Sequence, residues 1–151
     1  MERQLTGKPA LPEIIEAATD EEILKTFEVM SQLHPHLDQS DYLRRIRELM
    51  GVQGYRLVSL YVGSAPTVVA GFRLVDTLFA GRTLHVDDFV TFKDARSLGY
   101  GAKLLEWLRI EAKLNNCRHF ESISKITHED AHRFYVREGF DANGFSFRKT
   151  L

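Results

Sequence analysis

The chain has 151 residues, a single cysteine and 20 Lys+Arg against 21 Asp+Glu, giving a formal net charge of -1. That length suits one domain, residues 1–151, with a core that needs no staple; one cysteine forms no internal disulfide and no paired Cys/His spacing suggests structural zinc, which fits a reducing, cytoplasmic setting. The near-neutral balance gives no support to nucleic-acid binding, no apolar run approaches the roughly 18 residues of a membrane span, and the start lacks a signal peptide's apolar core.

Residues 1–11 read as a loose tail, after which "EIIEAA" predicts a short strand. Thr19 with Glu22 gives a capping-box start to a helix that carries Ile23, Phe27, Met30 and Leu33 on one face and ends at Pro35. A second helix runs from about Ser40, with Leu43, Ile46 and Met50 in phase, and stops at "GVQG". The period then changes. "YRLVSLYV", "TVVAGFRLV" and "RTLHVDDFVTF" are rich in β-branched and aromatic residues, and the turns "GSAP" and "TLFAG" between them predict an antiparallel meander. Leu104, Leu105, Leu108 and Ala112 form the apolar stripe of a helix packed on a sheet, with Lys103, Glu106, Arg109 and Lys113 on the opposite face. The strand "HFESIS", a short helix from Thr127 to Glu138 and a hairpin around Asn143-Gly144 complete an α/β (α+β) order of β-α-α-β-β-β-α-β-α-β-β.

The stripe helix opens with "ARSLGYG", which places two glycines where helix propensity is worst served. A helix N-terminus offers unpaired N–H groups and the positive end of the dipole, so this loop can wrap an anion, with Arg96 adding charge. Taken alone, a G-x-G is equally at home in an ordinary turn. No Gly-Lys-Ser/Thr follows it, and no acidic residue closes a second parallel strand, so a nucleotide fold of the P-loop or Rossmann kind lacks support.

Strand, then Arg-x-x-Gly-x-Gly, then an amphipathic helix, a strand and "AHRFYVREGF" resembles the GNAT acetyltransferase superfamily, over residues 84–140 in motifs and most of the chain in element order. The resemblance implies the GNAT fold, a mixed and largely antiparallel central sheet flanked by helices, and acetyl-CoA as cosubstrate. It implies that Arg96, Ser97, Leu98, Gly99, Tyr100, Gly101 and Ala102 hold the pyrophosphate. Phe89, Val90 and Thr91 match the strand that pairs with the pantetheine arm, and Phe134 falls beside it. Three positions depart from the family pattern: Ser97 and Leu98 stand where Gly and a basic residue are common, and His128 stands where an asparagine is common.

The same resemblance implies that Tyr135 is the general acid that protonates the leaving thiolate, with main-chain N–H near Val90 stabilising the oxyanion. Read from the residues alone, Tyr135 is a core aromatic with its hydroxyl satisfied, and only the resemblance reverses that reading. Asp88 matches the position whose carboxylate binds or deprotonates the amine; alternation along a strand predicts that only one of Asp87 and Asp88 faces the site. His85 reads as a satisfied strand histidine and Cys117 as structural. "HPHLD" offers His34, His36 and Asp38, but a helix-ending loop gives no fixed ligand face and a third ligand is unclear, so the reading is no metal. In the resembled fold this segment borders the acceptor, which makes His34 and His36 candidate substrate contacts, and Asp87, beside Asp88 on its strand, is a third.

The function implied is transfer of an acetyl group from acetyl-CoA to a small-molecule primary amine, as in the small-amine branch that includes aminoalkylphosphonate N-acetyltransferases. Alternatives are an enzyme acting on protein N-termini and a non-catalytic acyl-CoA-binding regulatory module. Exposed terminal strands favour a homodimer.

Overall fold

The computed structural model describes residues 11–151, so the expected tail lies outside the described residues except for exposed Leu11. Among the described residues the elements are β1 (Glu13–Glu16), α1 (Asp20–Lys25), α2 (Phe27–Leu33), α3 (Gln39–Gln53), β2 (Arg56–Val62), β3 (Ala65–Thr77), β4 (Gly81–Thr91), α4 (Tyr100–Leu114), β5 (His119–Ser122) and α5 (Glu129–Arg137), with a 3-10 turn at Lys93–Ala95. The sheet order is β1-β2-β3-β4-β5. The first four strands pair antiparallel. The α4 crossover returns the chain beside β4 in the parallel sense, as a helical connection must.

Each sheet face buries its own apolar cluster. On one, Leu104, Leu105, Leu108 and Ala112 of α4 pack on Val58, Val68, Phe72, Leu84 and Val86. On the other, Ile23, Met30, Tyr42 and Ile46 from α1 to α3 cover Leu57, Val69 and Val90. The expected capping box is present: the Thr19 hydroxyl accepts from the Glu22 N–H at 3.2 Å and the Glu22 carboxylate accepts from the Thr19 N–H at 3.0 Å.

Three expectations change and one is met. The single helix from Thr19 to Leu33 is two helices, because the buried Thr26 hydroxyl bonds the Ile23 carbonyl at 2.6 Å and the Tyr42 hydroxyl at 2.7 Å, ending one helix and starting the next. The second helix ends within "GVQG" as expected, at Gly54, whose φ of 65° supplies the left-handed cap. The helix after β5 starts at Glu129 behind His128, with no side-chain cap, two residues later than the expected start at Thr127. No strand forms after Phe140, and the expected hairpin around Asn143-Gly144 is absent.

Candidate active site

The loop before α4 forms a cradle of about 110 Å³ lined by Thr91, Ala95, Arg96, Ser97, Gly99, Tyr100, Gly101, Ala102, Phe134 and Arg137. Gly99 caps the helix at φ 83°, and no side chain caps the first turn, so the N–H groups of Tyr100, Gly101 and Ala102 remain free to meet an anion. Gly101 faces inward: a β-carbon there would lie 3.5 Å from Thr91 Oγ1 and 3.6 Å from Phe134 Cζ. Ser97 has φ 65°, which explains why glycine suits this position. Leu98 is exposed and does not line the cradle. Arg137, which the sequence did not single out, adds a second guanidinium and lies over the Phe134 ring at 5.6 Å.

Beside the cradle the sheet forks. β5 follows β4 only from Thr83 to Val86, so among the described residues the β4 main chain from Asp87 to Thr91 has no strand partner on that edge. Phe89 stacks on Phe134 in this opening, with ring centroids 5.6 Å apart. Tyr135 stands where the strands part: the Ser122 hydroxyl, at the end of β5, donates to its oxygen at 3.0 Å, which leaves the phenolic hydrogen free. Burial raises the Tyr135 pKa above its ordinary value, and the Ser122 bond opposes this only partly. The phenol is therefore protonated at working pH.

Across the sheet, a cleft of about 160 Å³ opens among α2, α3 and β4, with Asp88 on its floor and His34, His36, Tyr42, Arg45 and Tyr55 among its lining. Both Asp88 carboxylate oxygens are engaged. His34 Nε2 lies 2.5 Å from Oδ1, and the Tyr55 hydroxyl donates to Oδ2 at 2.8 Å. Tyr55 is buried and its pKa is raised well above the usual value, first by burial and then by the Asp88 charge and hydrogen bond. Burial pushes Tyr42 up to about 12, against the Thr26 bond.

Strict alternation does not hold at Asp87 and Asp88. Gly71 opposes Asp88 while the next residue, Phe72, opposes Val86, which leaves Asp87 as a bulge. The extra residue reverses the phase of β4: Val86 and Phe89 both belong to the α4 side, while Asp88 turns to the α1–α3 side. Asp87 is not in the cleft. It forms a fork with Arg73, at 2.7 and 2.8 Å, and lies 3.6 Å from His85. His85 also bonds Glu121 at 2.9 Å.

The structure thus brings His34, His36 and Asp88 into one cleft and holds Asp87 outside it. Val90 is buried on the α1–α3 side of the sheet, although its main chain borders the fork. His128 caps α5 by accepting the His132 N–H on its carbonyl. Cys117 sits past the end of α4, with burial raising its thiol pKa. Asp38 is committed to the start of α3, accepting the Ser40 N–H at 3.0 Å. The sequence reading missed Tyr55, Tyr42, Arg45 and Ser122. One signal was legible: a lone glycine inside "TVVAGFRLV" marks a close approach, here that of Tyr55 over Gly71.

A phosphate-sized cradle at a helix N-terminus, continuing into an unpaired strand edge with a phenol at its end, is the arrangement that the sequence motifs implied, and comparison with known proteins decides the matter. Residues 17–140 match the acetyltransferase (GNAT) family. The chain belongs to this family.

It is 31% identical over 132 residues to the uncharacterized N-acetyltransferase YhdJ of Bacillus subtilis, covering 87% of this chain and 93% of that protein. It is 35% identical over 67 residues to an aminoalkylphosphonate N-acetyltransferase of Salmonella typhimurium, covering 44% of each. The fold matches that of aminoglycoside N-acetyltransferase AAC(6')-Iy in complex with CoA, with a TM-score of 0.82 over 97% of this chain and 100% of that one at 12% identity. A transcriptional regulator from Bacillus halodurans C-125 superposes with a TM-score of 0.81 over 93% of this chain and 100% of that one at 19% identity. This GNAT protein is an acetyl-CoA-dependent N-acetyltransferase, and acetyl-CoA is the family's cosubstrate. The cradle fits that molecule: free helix N–H groups, a bare Gly101 and two guanidinium groups answer a pyrophosphate.

Proposed function

We propose that the enzyme acetylates the primary amine of a small molecule, with Tyr135 as general acid and Asp88, paired with His34, receiving the amine. The observation that carries this reading is the strand β4, which turns Asp88 into the cleft between α2 and α3 while Phe89 stacks in the fork on the opposite side. When bound, acetyl-CoA supplies an acetyl group already activated as a thioester. Arg96, Arg137 and the first turn of α4 hold its pyrophosphate, and Phe89 with Phe134 borders the pantetheine path.

Asp88 attracts the ammonium group to the cleft floor. Both of its oxygens already accept or share hydrogen bonds, so the carboxylate is fixed in place, and the His34 ring tied to it through Nε2 offers Nδ1 as the atom that takes the amine's proton. Tyr135 then gives its hydroxyl proton to the departing sulfur. No group of the enzyme need be acylated, and Cys117 takes no part.

The acceptor is compact, since a cleft of about 160 Å³ has little room beyond a short chain and its end groups. An aminoalkylphosphonate is one candidate, supported by the partial likeness to the Salmonella enzyme. A panel of small amines and N-terminal peptides, assayed for CoA release at fixed acetyl-CoA, tests the reading: turnover of small amines is expected, and turnover confined to peptides would overturn it. Asp88→Asn and His34→Gln should each lower kcat/KM for the amine by roughly 100-fold, the scale of acid–base catalysis, without changing acetyl-CoA affinity.

A further inference from the structure

Residues 44–47 of α3 hold three arginines, and two of them are spent on the fold. Arg44 forks onto Asp41 at 2.8 and 2.9 Å and also bonds Glu48. Arg47 bonds Asp20 and the Ala18 carbonyl, both at 3.0 Å, and so ties α3 to the start of α1. Arg45 is different. Among the described residues its ion-pair partner is Glu48, at 3.8 Å, a carboxylate that Arg44 already holds more closely. Its side chain instead lines the cleft that has Asp88 on its floor, on the same wall of α3 as Tyr42, one turn before it, and Leu49, one turn after. The lining of the cleft thus carries one carboxylate and one guanidinium. They do not pair with each other, because Asp88 is held by His34 and Tyr55. Met30, Leu37, Ile46 and Leu49 make much of the remaining wall apolar.

We propose that the acceptor is a zwitterion: a short primary amine whose far end bears a carboxylate or a phosphonate, with Arg45 as the receptor of that anion. The proposal rests on the small-amine reading above and adds the end group and the residue that selects it. A guanidinium presents parallel N–H donors that match two oxygens of either anion. The same group works against other acceptors. A simple alkylamine brings its ammonium charge into a cleft that already holds a guanidinium, and offers Arg45 nothing in return; a diamine brings a second positive charge. The backbone beyond a peptide's N-terminal amine is uncharged, so it too leaves Arg45 unanswered. Only a zwitterion meets an opposite charge at both ends, which makes Arg45 attractive to one class and repulsive to its competitors. The apolar wall suits a short methylene spacer, and the volume of about 160 Å³ keeps that spacer short.

The side chain of Arg45 is 56% exposed, so it can be replaced without disturbing the core. Acetylation of β-alanine and aminoethylphosphonate is to be compared with that of propylamine, ethanolamine and putrescine at fixed acetyl-CoA. The two anionic amines should show kcat/KM roughly 10- to 100-fold higher, the worth of one hydrogen-bonded contact between charged groups, and the better of the two identifies the end group. Arg45→Gln should abolish that advantage, with the loss carried by KM rather than kcat, and Arg45→Lys should restore part of it. Arg45→Glu should turn the preference toward putrescine. Neutral amines acetylated as efficiently as anionic ones, or an anion preference that survives Arg45→Gln, would overturn the proposal and leave the small-amine reading standing. Turnover of none of these amines would fail both.

Discussion

The Tyr55 hydroxyl passes so close over Gly71 that a β-carbon on residue 71 would stand 1.7 Å from its oxygen. The contact ties three strands into one device. Tyr55 precedes β2, crosses β3 where it has no side chain, and donates to Asp88 on β4 at 2.8 Å. Gly71→Ala therefore evicts the ring from the Asp88 carboxylate. Overpacking costs about 1–3 kcal/mol, and a buried hydroxyl left without its partner costs about as much again. Denaturant unfolding should show that loss. Tyr55→Phe separates the two effects: it should keep most of the stability and lower the amine kcat/KM, because Asp88 then loses one of the two groups that fix it.

Tyr135→Phe should lower kcat by roughly 100-fold or more, with little change in acetyl-CoA affinity, since the ring packing on Phe134 and Phe140 survives. Because burial raises this phenol above its ordinary value near 10, its proton is retained through the neutral and mildly alkaline range. The wild-type rate should show no loss from this group until the pH exceeds about 10. A rate profile of the wild type and full steady-state kinetics of the variant test both points; full activity of the phenylalanine enzyme would assign the proton to water.

The three special positions of the cradle should respond differently. Gly99, at φ 83°, is needed for the backbone, so Gly99→Val should lower both stability and affinity. Gly101 has ordinary room for a β-carbon, so Gly101→Val should fold normally while its added methyl groups fill the cradle; calorimetry should show acetyl-CoA binding at least about tenfold weaker. Ser97→Gly should do the reverse of damage. It relieves a left-handed residue that costs about 1–2 kcal/mol, and the melting temperature should rise.

What the sequence made legible is local chemistry. The Thr19 and Glu22 capping box, the α4 stripe and the Arg96 to Gly101 loop are each written within a few neighbouring residues, and each is present. What stayed hidden depends on partners far along the chain. Thr26 breaks a helix whose apolar phase runs straight through it, because Tyr42, 16 residues on, takes its hydroxyl. The bulge at Asp87 exists only relative to β3, and it reverses which residues of β4 face the cleft. Tyr55 and Asp88 are 33 residues apart, and neither segment alone shows that they meet. The terminal hairpin failed for a related reason: Asn143-Gly144 encodes a turn, but a turn needs two strands that return on each other, and no strand forms after Phe140.

The two buried phenols beside Asp88 give the fold a defined alkaline limit. Tyr42 is pushed up to about 12 and Tyr55 is raised well above 10, chiefly by burial in both cases. In the unfolded chain each ionises near 10. The folded state therefore holds these protons more tightly than the unfolded one, and the resulting stability is complete below pH of about 10. It is lost as pH rises from there through the folded values, because the unfolded chain releases its protons first. Melting temperatures should fall steeply between pH of about 10 and 12, beyond what an exposed tyrosine would cause. Tyr42→Phe removes one of the two titrations, so its melting temperature should be lower than wild type at neutral pH, where the Thr26 bond is missing, and should decline less steeply above pH of about 10. Parallel curves for the two proteins would show that Tyr42 ionisation is not linked to unfolding.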